Sequence, residues 1–196
     1  MCVAKLRSNC APDIFDIVRW SSPPLLNKDV DPPDRVALII AVSPDRRWAC
    51  IGVAGESGGK TVLLCHSMRG LSGVASKVVE LQGTLDVISK VRLAGNGARA
   101  LAPNLTKADI EFDVMSQTEM GASCGAFQQA YQDATLVHVG QAELDRAVAN
   151  AQTRRVGESE QWDRRDPKVD DSPLIAVSAA LYEWGIQETA PMPALY

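Results

Sequence analysis

The sequence lacks the features of a membrane or exported protein. No apolar run approaches the roughly 18 residues that a membrane span needs, and the N-terminus has no apolar core of a secretory signal. The five cysteines are odd in number and form no C-x-x-C pair or repeated metal-ligand spacing. We therefore expect a soluble protein of a reducing compartment.

A strong positive charge is also missing. The formal net charge is −4, so no global field indicates a nucleic-acid partner. Arginine nevertheless occurs in three pairs, which are Arg46-Arg47, Arg154-Arg155 and Arg164-Arg165. Scattered pairs of this kind are typical of a solvated surface, and they would converge on phosphates only if the fold brings them together.

Proline is concentrated near the N-terminus. Residues 1–35 hold five of the eleven prolines with little sustained periodicity, which predicts an arm or linker with one short helix around residues 13–20. Residues 36–190 are then expected to form one domain, and residues 191–196 a short tail. A hydrophobic fraction of 46% is near the globular average and is enough for a real core.

The domain begins with a pattern of consecutive strands. The run VALIIAV (36–42) is apolar throughout, SPDR (43–46) predicts a turn, and RWACIGVAG (47–55) alternates. A second turn at ESGGK (56–60) leads into TVLLCH (61–66). Because the connections are short, the three strands are predicted to be antiparallel.

Helical and strand patterns alternate in the rest of the domain. Strands are predicted over 86–94, 110–115 and 135–139. Five helices are predicted. The first has Val74, Val78 and Leu81 on one face, and the second is a short helix over 98–105 that Pro103 interrupts. The third has a Ser116–Glu119 capping box, the fourth lies around Leu144–Ala151, and the last has Ser172 as N-cap and Pro173 in its first turn. Three antiparallel strands followed by alternating helices and strands predict an α/β fold with a mixed central sheet flanked by helices, which is the RNase H-like order.

The segment AGESGGKT (54–61) matches a relaxed phosphate-binding-loop pattern, with Ala54 in place of the first glycine. Such a loop needs a helix after it, because the helix N-terminus and the loop amides hold the phosphates. A β-branched apolar run follows here instead. We interpret residues 56–60 as a hairpin turn in which the glycines permit positive φ and Lys60 is solvated.

Histidine and tryptophan offer few chemical candidates. His66 and His138 lie at or in predicted strands, and no Ser/Cys–His–Asp arrangement can be built from their spacing, so we expect structural roles for both. Trp184 falls at helical spacing and is expected in the core. Trp162, which has charged neighbours, is the best candidate for an exposed ring that stacks on a base.

The strongest acidic signal is the pair Asp170 and Asp171 in KVDDSPLIAVSAALYEW (168–184). Both lie just before a predicted helix N-terminus, where the positive end of the helix dipole favours negative charge, so capping alone explains them. Metal binding is the alternative, because two-metal nucleases need two or three carboxylates from different elements.

Three segments carry a family resemblance. They are VALIIAVSPDRRWACIGVAG (36–55), the segment 120–166 with VHVGQAELDRA, and VDDSPLIAVSAALYEWG (169–185). Together they resemble the nuclease domains of large terminase subunits of tailed phages, in particular actinobacteriophages. The resemblance implies an RNase H-like metal-dependent endonuclease that cuts concatemeric double-stranded DNA by two-metal hydrolysis with Mg²⁺ or Mn²⁺.

The resemblance also implies three positions for metal-binding carboxylates. The first strand of the family carries an aspartate just before V-S-P, where this sequence has Ala41, and Asp45 lies beyond it in the predicted turn. Many relatives have a second acid where this sequence has Ala94. The third position maps best to Asp170, with Asp171 as the alternative. Asp170, Asp171 and Asp45 are thus the candidate catalytic residues, and the first two are the candidate metal ligands.

The resemblance further implies the partners and the location. The partners are double-stranded DNA, a terminase ATPase domain, the small terminase subunit and the portal, in the cytoplasm of the bacterial host and not at a membrane. No credible phosphate loop precedes the domain, so the chain is expected to be a fragment or a split product. A catalytically silent RNase H-like module that binds DNA or packaging partners is the competing hypothesis, and Ala41 and Ala94 favour it. Whether Ala41 is natural or engineered stays open.

Overall fold

A computed structural model describes residues 14–164 and 170–189. A seven-stranded mixed sheet forms its centre, in the order β6-β5-β1-β2-β3-β7 with β4 also paired to β1. The strands are β1 (Arg35–Val42), β2 (Trp48–Ser57), β3 (Lys60–Arg69), β4 (Asp86–Val87), β5 (Val91–Ala94), β6 (Phe112–Val114) and β7 (Leu136–His138). The first three are antiparallel and the later strands join in parallel, which confirms the predicted mixed sheet.

Helices cover both faces of the sheet. They are α1 (Ile17–Trp20), α2 (Val74–Gln82), α3 (Ala102–Lys107), α4 (Gln117–Asp133), α5 (Ala142–Ala149) and α6 (Ser172–Thr189). One core lies between the sheet and the helices α4, α5 and α6, and the other lies on the side of α2 and α3. Successive residues of β1 enter the two cores in turn, which explains why its sequence is apolar throughout.

The described part of the expected N-terminal arm packs against the domain. Phe15, Trp20 and Leu25 are buried in the core that α4, α5 and α6 share with the sheet. The Trp20 indole N–H donates to the Asp145 carboxylate at 2.8 Å, which ties α1 to α5. The described segment from residue 14 onward thus contributes to the main core. The domain boundary at residue 35 stays a prediction.

Three elements differ from the prediction. The predicted strand 86–94 is two short strands, because β4 pairs with the start of β1 and β5 pairs with its end. The predicted helix 98–105 is a 3-10 helix (Asn96–Leu101) that continues into α3, where Pro103 lies in the first turn and interrupts nothing. An unpredicted hairpin of β8 (Thr153–Val156) and β9 (Ser159–Trp162) also forms, with Gly157 at a φ of 63° in its turn.

The phosphate-loop match is a hairpin turn, as predicted. Gly58 and Gly59 have positive φ between β2 and β3, and a strand follows in place of the required helix. Lys60 donates to the Pro24 carbonyl oxygen at 3.1 Å. Among residues 14–164 and 170–189, no helix is long and apolar enough to cross a membrane.

Candidate functional site

The carboxyl ends of β1 and β5 meet at one edge of the fold. Ala41 of β1 lies opposite Ala94 of β5 in the parallel register, and opposite Cys50 of β2 in the antiparallel register. Both alanines face the core shared with α6, and neither has exposed surface. The fold therefore brings the first two expected acidic positions together, and each carries a methyl group.

The start of α6 brings Asp170 and Asp171 to the same region. The Asp170 carboxylate accepts hydrogen bonds from the Ser172 backbone N–H at 3.1 Å and from its hydroxyl at 2.6 Å. The Asp171 carbonyl oxygen accepts from the Ile175 N–H at 3.1 Å, so Asp171 takes the N-cap position that the sequence predicted for Ser172. Both acidic residues thus contribute to the start of the helix.

Arg164 joins these elements. Its guanidinium donates to the Val42 carbonyl oxygen at 2.6 Å and to the Asp171 carboxylate at 3.2 and 3.3 Å. A Cβ atom at Gly95 would lie 3.1 Å from the guanidinium, and Gly95 has a φ of 81° that favours glycine. We call the group formed by Ala41, Ala94, Asp171 and Arg164 the strand-end site.

Burial and Arg164 have opposite effects on Asp171. Burial raises the pKa of the Asp171 carboxyl, the positive charge of Arg164 lowers it, and the net result is a pKa above the ordinary value. The ion pair measures 3.2 Å between Arg164 Nε and the carboxylate. Because a guanidinium already neutralises this carboxylate, little negative charge is left there to attract a metal ion.

The strand-end site does not fit a two-metal centre. Two divalent ions about 4 Å apart need several carboxylate oxygens as ligands. Ala41 and Ala94 supply none, the Asp171 carboxylate is bound by Arg164, and the Asp170 carboxylate accepts two hydrogen bonds from Ser172. In the described parts of the chain, no group of three or more His, Cys, Asp or Glu side chains could hold a metal ion. The metal expected from the resemblance therefore has no suitable ligand set among these residues.

Asp45 lies in the turn after β1. Its carboxylate accepts from the Arg47 backbone N–H at 3.0 Å and from the Ser43 hydroxyl at 2.7 Å. These two bonds lower the pKa of the Asp45 carboxyl, so it is ionised at neutral pH. The contacts are those of a side chain that stabilises a turn.

A cavity of about 470 Å³ opens beside Arg164. Its walls come from the turn after β1, the residues after β5, the first turns of α4 and α6, and the β8–β9 hairpin. Arg46, Arg154 and Arg164 line it, and none of the lining residues that the structure describes is acidic. We call it the arginine cavity. The fold thus brings together one member of each arginine pair, whereas Arg165 lies outside the described residues.

Trp162 is not the exposed aromatic residue that we expected, and this prediction was wrong. Only 4% of its surface is exposed, its ring lies 6.0 Å from that of Phe127, and its indole N–H donates to the Ser178 hydroxyl at 3.1 Å. Its charged neighbours in sequence do not imply that Trp162 is exposed, because successive side chains along a strand point to opposite faces. Trp184 is buried, as predicted.

The two histidines have different environments. His138 is buried, its Nε2 lies 2.8 Å from the Trp20 carbonyl oxygen, and its Nδ1 accepts from the Gly140 N–H at 3.1 Å. The structural role predicted for His138 is therefore confirmed. His66 is exposed on β3, so burial gives it no comparable role.

Comparison with solved structures identifies the fold. The large terminase of bacteriophage HK97 matches with a TM-score of 0.70 at 10% identity, over 87% of this chain and 43% of that chain. The large terminase nuclease from the thermophilic phage G20c matches with a TM-score of 0.64 at 12% identity, over 87% of this chain and 97% of that chain. The chain has the terminase nuclease fold. It spans almost all of the separate G20c nuclease and less than half of the HK97 protein.

Other solved terminases agree with this fold. The G20c nuclease with bound magnesium and with bound cobalt matches with TM-scores of 0.60 and 0.59, each at 12% identity. The nuclease domain of a Thermus phage large terminase matches with a TM-score of 0.55 at 10% identity, over 80% of this chain and 83% of that chain. No protein-family model and no curated protein matches the sequence. The structural matches to the HK97 and G20c terminases thus have identities of only 10% and 12%.

Proposed function

We propose that this chain is the nuclease-fold module of a phage DNA-packaging terminase, and that it binds double-stranded DNA without cutting it. The main support for this proposal is the strand-end site, where Ala41 and Ala94 are adjacent and Arg164 pairs with Asp171. A guanidinium can contact a phosphate, but it cannot generate the hydroxide that a bound metal ion supplies at neutral pH. The terminase nuclease fold supports the role in packaging.

A metal-dependent endonuclease is the competing function. The retained Asp170 and Asp171 favour it, as do the magnesium and cobalt bound to the G20c nuclease. In this chain, two Mg²⁺ or Mn²⁺ ions would have to displace Arg164 from Asp171 and would find no carboxylate at either strand end. We therefore place non-hydrolytic binding first.

Binding is expected to depend on DNA phosphates. The chain as a whole is acidic, so local arginine side chains must supply the attraction. Contacts of this kind read no bases and weaken as salt displaces them. We include a terminase ATPase domain, the small terminase subunit and the portal as proposed partners, in the cytoplasm of the bacterial host.

Two assays on the full chain test the proposal. In electrophoretic shifts with EDTA, the unaltered chain should bind duplexes of unrelated sequence equally and lose affinity as salt rises. In supercoiled-plasmid assays with magnesium or manganese, it should leave the plasmid intact, because the strand ends have no carboxylates. The Ala41→Asp/Ala94→Asp variant should gain nicking, whereas the size-matched Ala41→Asn/Ala94→Asn variant should not. Strong metal-dependent cleavage by the unaltered chain would refute the proposal.

A further inference from the structure

The charged residues that line the arginine cavity are positive, whereas the chain as a whole is acidic. Arg164 is paired with Asp171, and Arg154 lies 3.9 Å from the Asp163 carboxylate. Arg46 makes no ion pair with any residue that the structure describes. Neither carboxylate is among the described residues that line the cavity; three of those residues are arginines and none is acidic. A concave wall of one charge concentrates ions of the opposite sign.

The three arginines come from separate elements. Arg46 lies in the turn after β1 at a φ of 59°, and Arg154 lies on β8 opposite Gln161. Arg164 is fixed by its bonds to Val42 and Asp171. Arginines that line one cavity from three elements suit an anion with several oxygens, since guanidinium N–H groups match phosphate oxygens in pairs.

The size of the cavity and its neutral side chains restrict the ligand further. A volume of about 470 Å³ lies within the roughly 300–1,000 Å³ typical of ligand pockets, which admits a nucleotide-sized unit and excludes a whole duplex. Asn96, Gln117 and Gln161 complete the polar lining. Their amide groups can bond to phosphate or sugar oxygens next to a bound phosphate.

We propose that the arginine cavity binds a phosphate group of DNA without a metal ion. The inference rests on the proposed DNA-binding function and names the contact that carries it. A phosphodiester within a strand and a phosphomonoester at a DNA end offer the same chemistry, so the shared ligand is a phosphate ester. Arg46, Arg154 and Arg164 bind its oxygens with their guanidinium groups.

The arginine pairs supply matched controls within the chain. Arg46→Ala and Arg154→Ala each remove a guanidinium from the cavity wall. Arg47→Ala and Arg155→Ala remove the same charge one residue away, from exposed side chains that do not line the cavity. All four variants should keep the melting temperature of the unaltered chain, because none of these side chains is part of a core.

Duplex binding is measured by fluorescence anisotropy in EDTA over a series of salt concentrations. Arg46→Ala and Arg154→Ala should each weaken binding by about tenfold, as expected for the loss of a charged hydrogen bond. Each should also lower the slope of log K against log salt by about 0.9, the value for one phosphate contact. Arg47→Ala and Arg155→Ala should change affinity by less than about twofold, within the range of an exposed charge.

Two further arms identify the phosphate and separate this inference from the proposed function. The first arm compares a 5′-phosphorylated duplex with its 5′-hydroxyl counterpart. If the phosphorylated duplex binds more tightly and Arg46→Ala removes the difference, the cavity binds a terminal phosphate. If the two duplexes bind equally, the cavity binds an internal phosphate. If all four variants bind duplex equally well, the cavity proposal is overturned and the proposed function stands. If the unaltered chain binds no duplex, but inorganic phosphate shifts the Arg46 and Arg154 Nε–H signals in NMR spectra, the cavity is an anion site that does not take DNA, and the cavity proposal falls together with the proposed function. Absence of both signals overturns both.

Discussion

At the scale of single residues, His138 links the stability of the fold to pH. Burial lowers its pKa, although the Trp20 carbonyl and Asp145 act in the opposite direction. The neutral ring with a proton on Nε2 satisfies both nitrogens, whereas a second proton on Nδ1 would face the Gly140 N–H. The unfolded chain, with a histidine pKa of about 6.5, then binds more protons than the folded chain below that pH.

The free energy of unfolding should therefore be fully retained above about pH 6.5 and fall as the pH drops from there through the lower folded pKa of His138. Urea denaturation between about pH 5 and pH 8 measures this dependence. His138→Gln should flatten the curve on the acidic side of that range, whereas His66→Gln, at the other and exposed histidine, should leave it unchanged. An equal slope in the unaltered chain and in His138→Gln would contradict the assignment.

The residues of the strand-end site were only partly predictable from the sequence. Ala41 and Ala94 are visible in the chain as departures from the family pattern. The contact of Arg164 with Val42 joins residues 122 positions apart, and no local pattern reports such a contact. The sequence could therefore indicate which carboxylates are missing, but the charge and hydrogen bonding that replace them had to come from the structure.

At the scale of elements, the sequence pattern predicted the strands and helices whose signals are local, but it missed features that depend on contacts between elements. The apolar runs of β1 to β3 and the capping box of α4 formed as expected, because each signal is local. The predicted strand 86–94 is two strands because β4 pairs with the start of β1 and β5 pairs with its end, which no local pattern shows. Arg92 on β5 also pairs with Glu119 of α4 and Glu183 of α6, contacts that spacing could not reveal.

The packing of α6 on β2 gives a prediction at the scale of elements. A Cβ atom at Gly52 would overlap the Ala176 carbonyl group and the Val177 backbone nitrogen, so the helix backbone lies directly on the strand. Gly52→Ala should lower the free energy of unfolding by about 3 kcal/mol, because backbone must move to admit one methyl group.

Gly125 of α4 supplies the control for this change. A Cβ atom there would meet nothing within 4 Å, so Gly125→Ala should stabilise the helix by about 0.5–1 kcal/mol. Denaturant unfolding of both variants checks the pair. A Gly52→Ala variant as stable as the unaltered chain would show that α6 is not seated on β2 as described.

At the scale of the whole molecule, fold and chemistry were predictable to different degrees. Three segments between residues 36 and 185 indicated the terminase nuclease fold through their resemblance to that family, and the solved structures agree. The chemistry depends on a few side chains whose neighbours are set by the tertiary structure. The arginine cavity illustrates this, since a net charge of −4 gave no sign that one arginine of each pair would line the same cavity.

The proposed function requires that the strand-end site, with its ion pair between Arg164 and Asp171, binds no metal ion. Calorimetric titration of the unaltered chain with manganese chloride tests it most directly. We predict no saturable binding, because Ala41 and Ala94 offer no ligands and Arg164 engages Asp171. The Ala41→Asp/Ala94→Asp variant should show saturable binding. Saturable binding of two manganese ions by the unaltered chain, lost in Asp170→Asn or Asp171→Asn, would show that the site is a metal centre and would refute the proposed function.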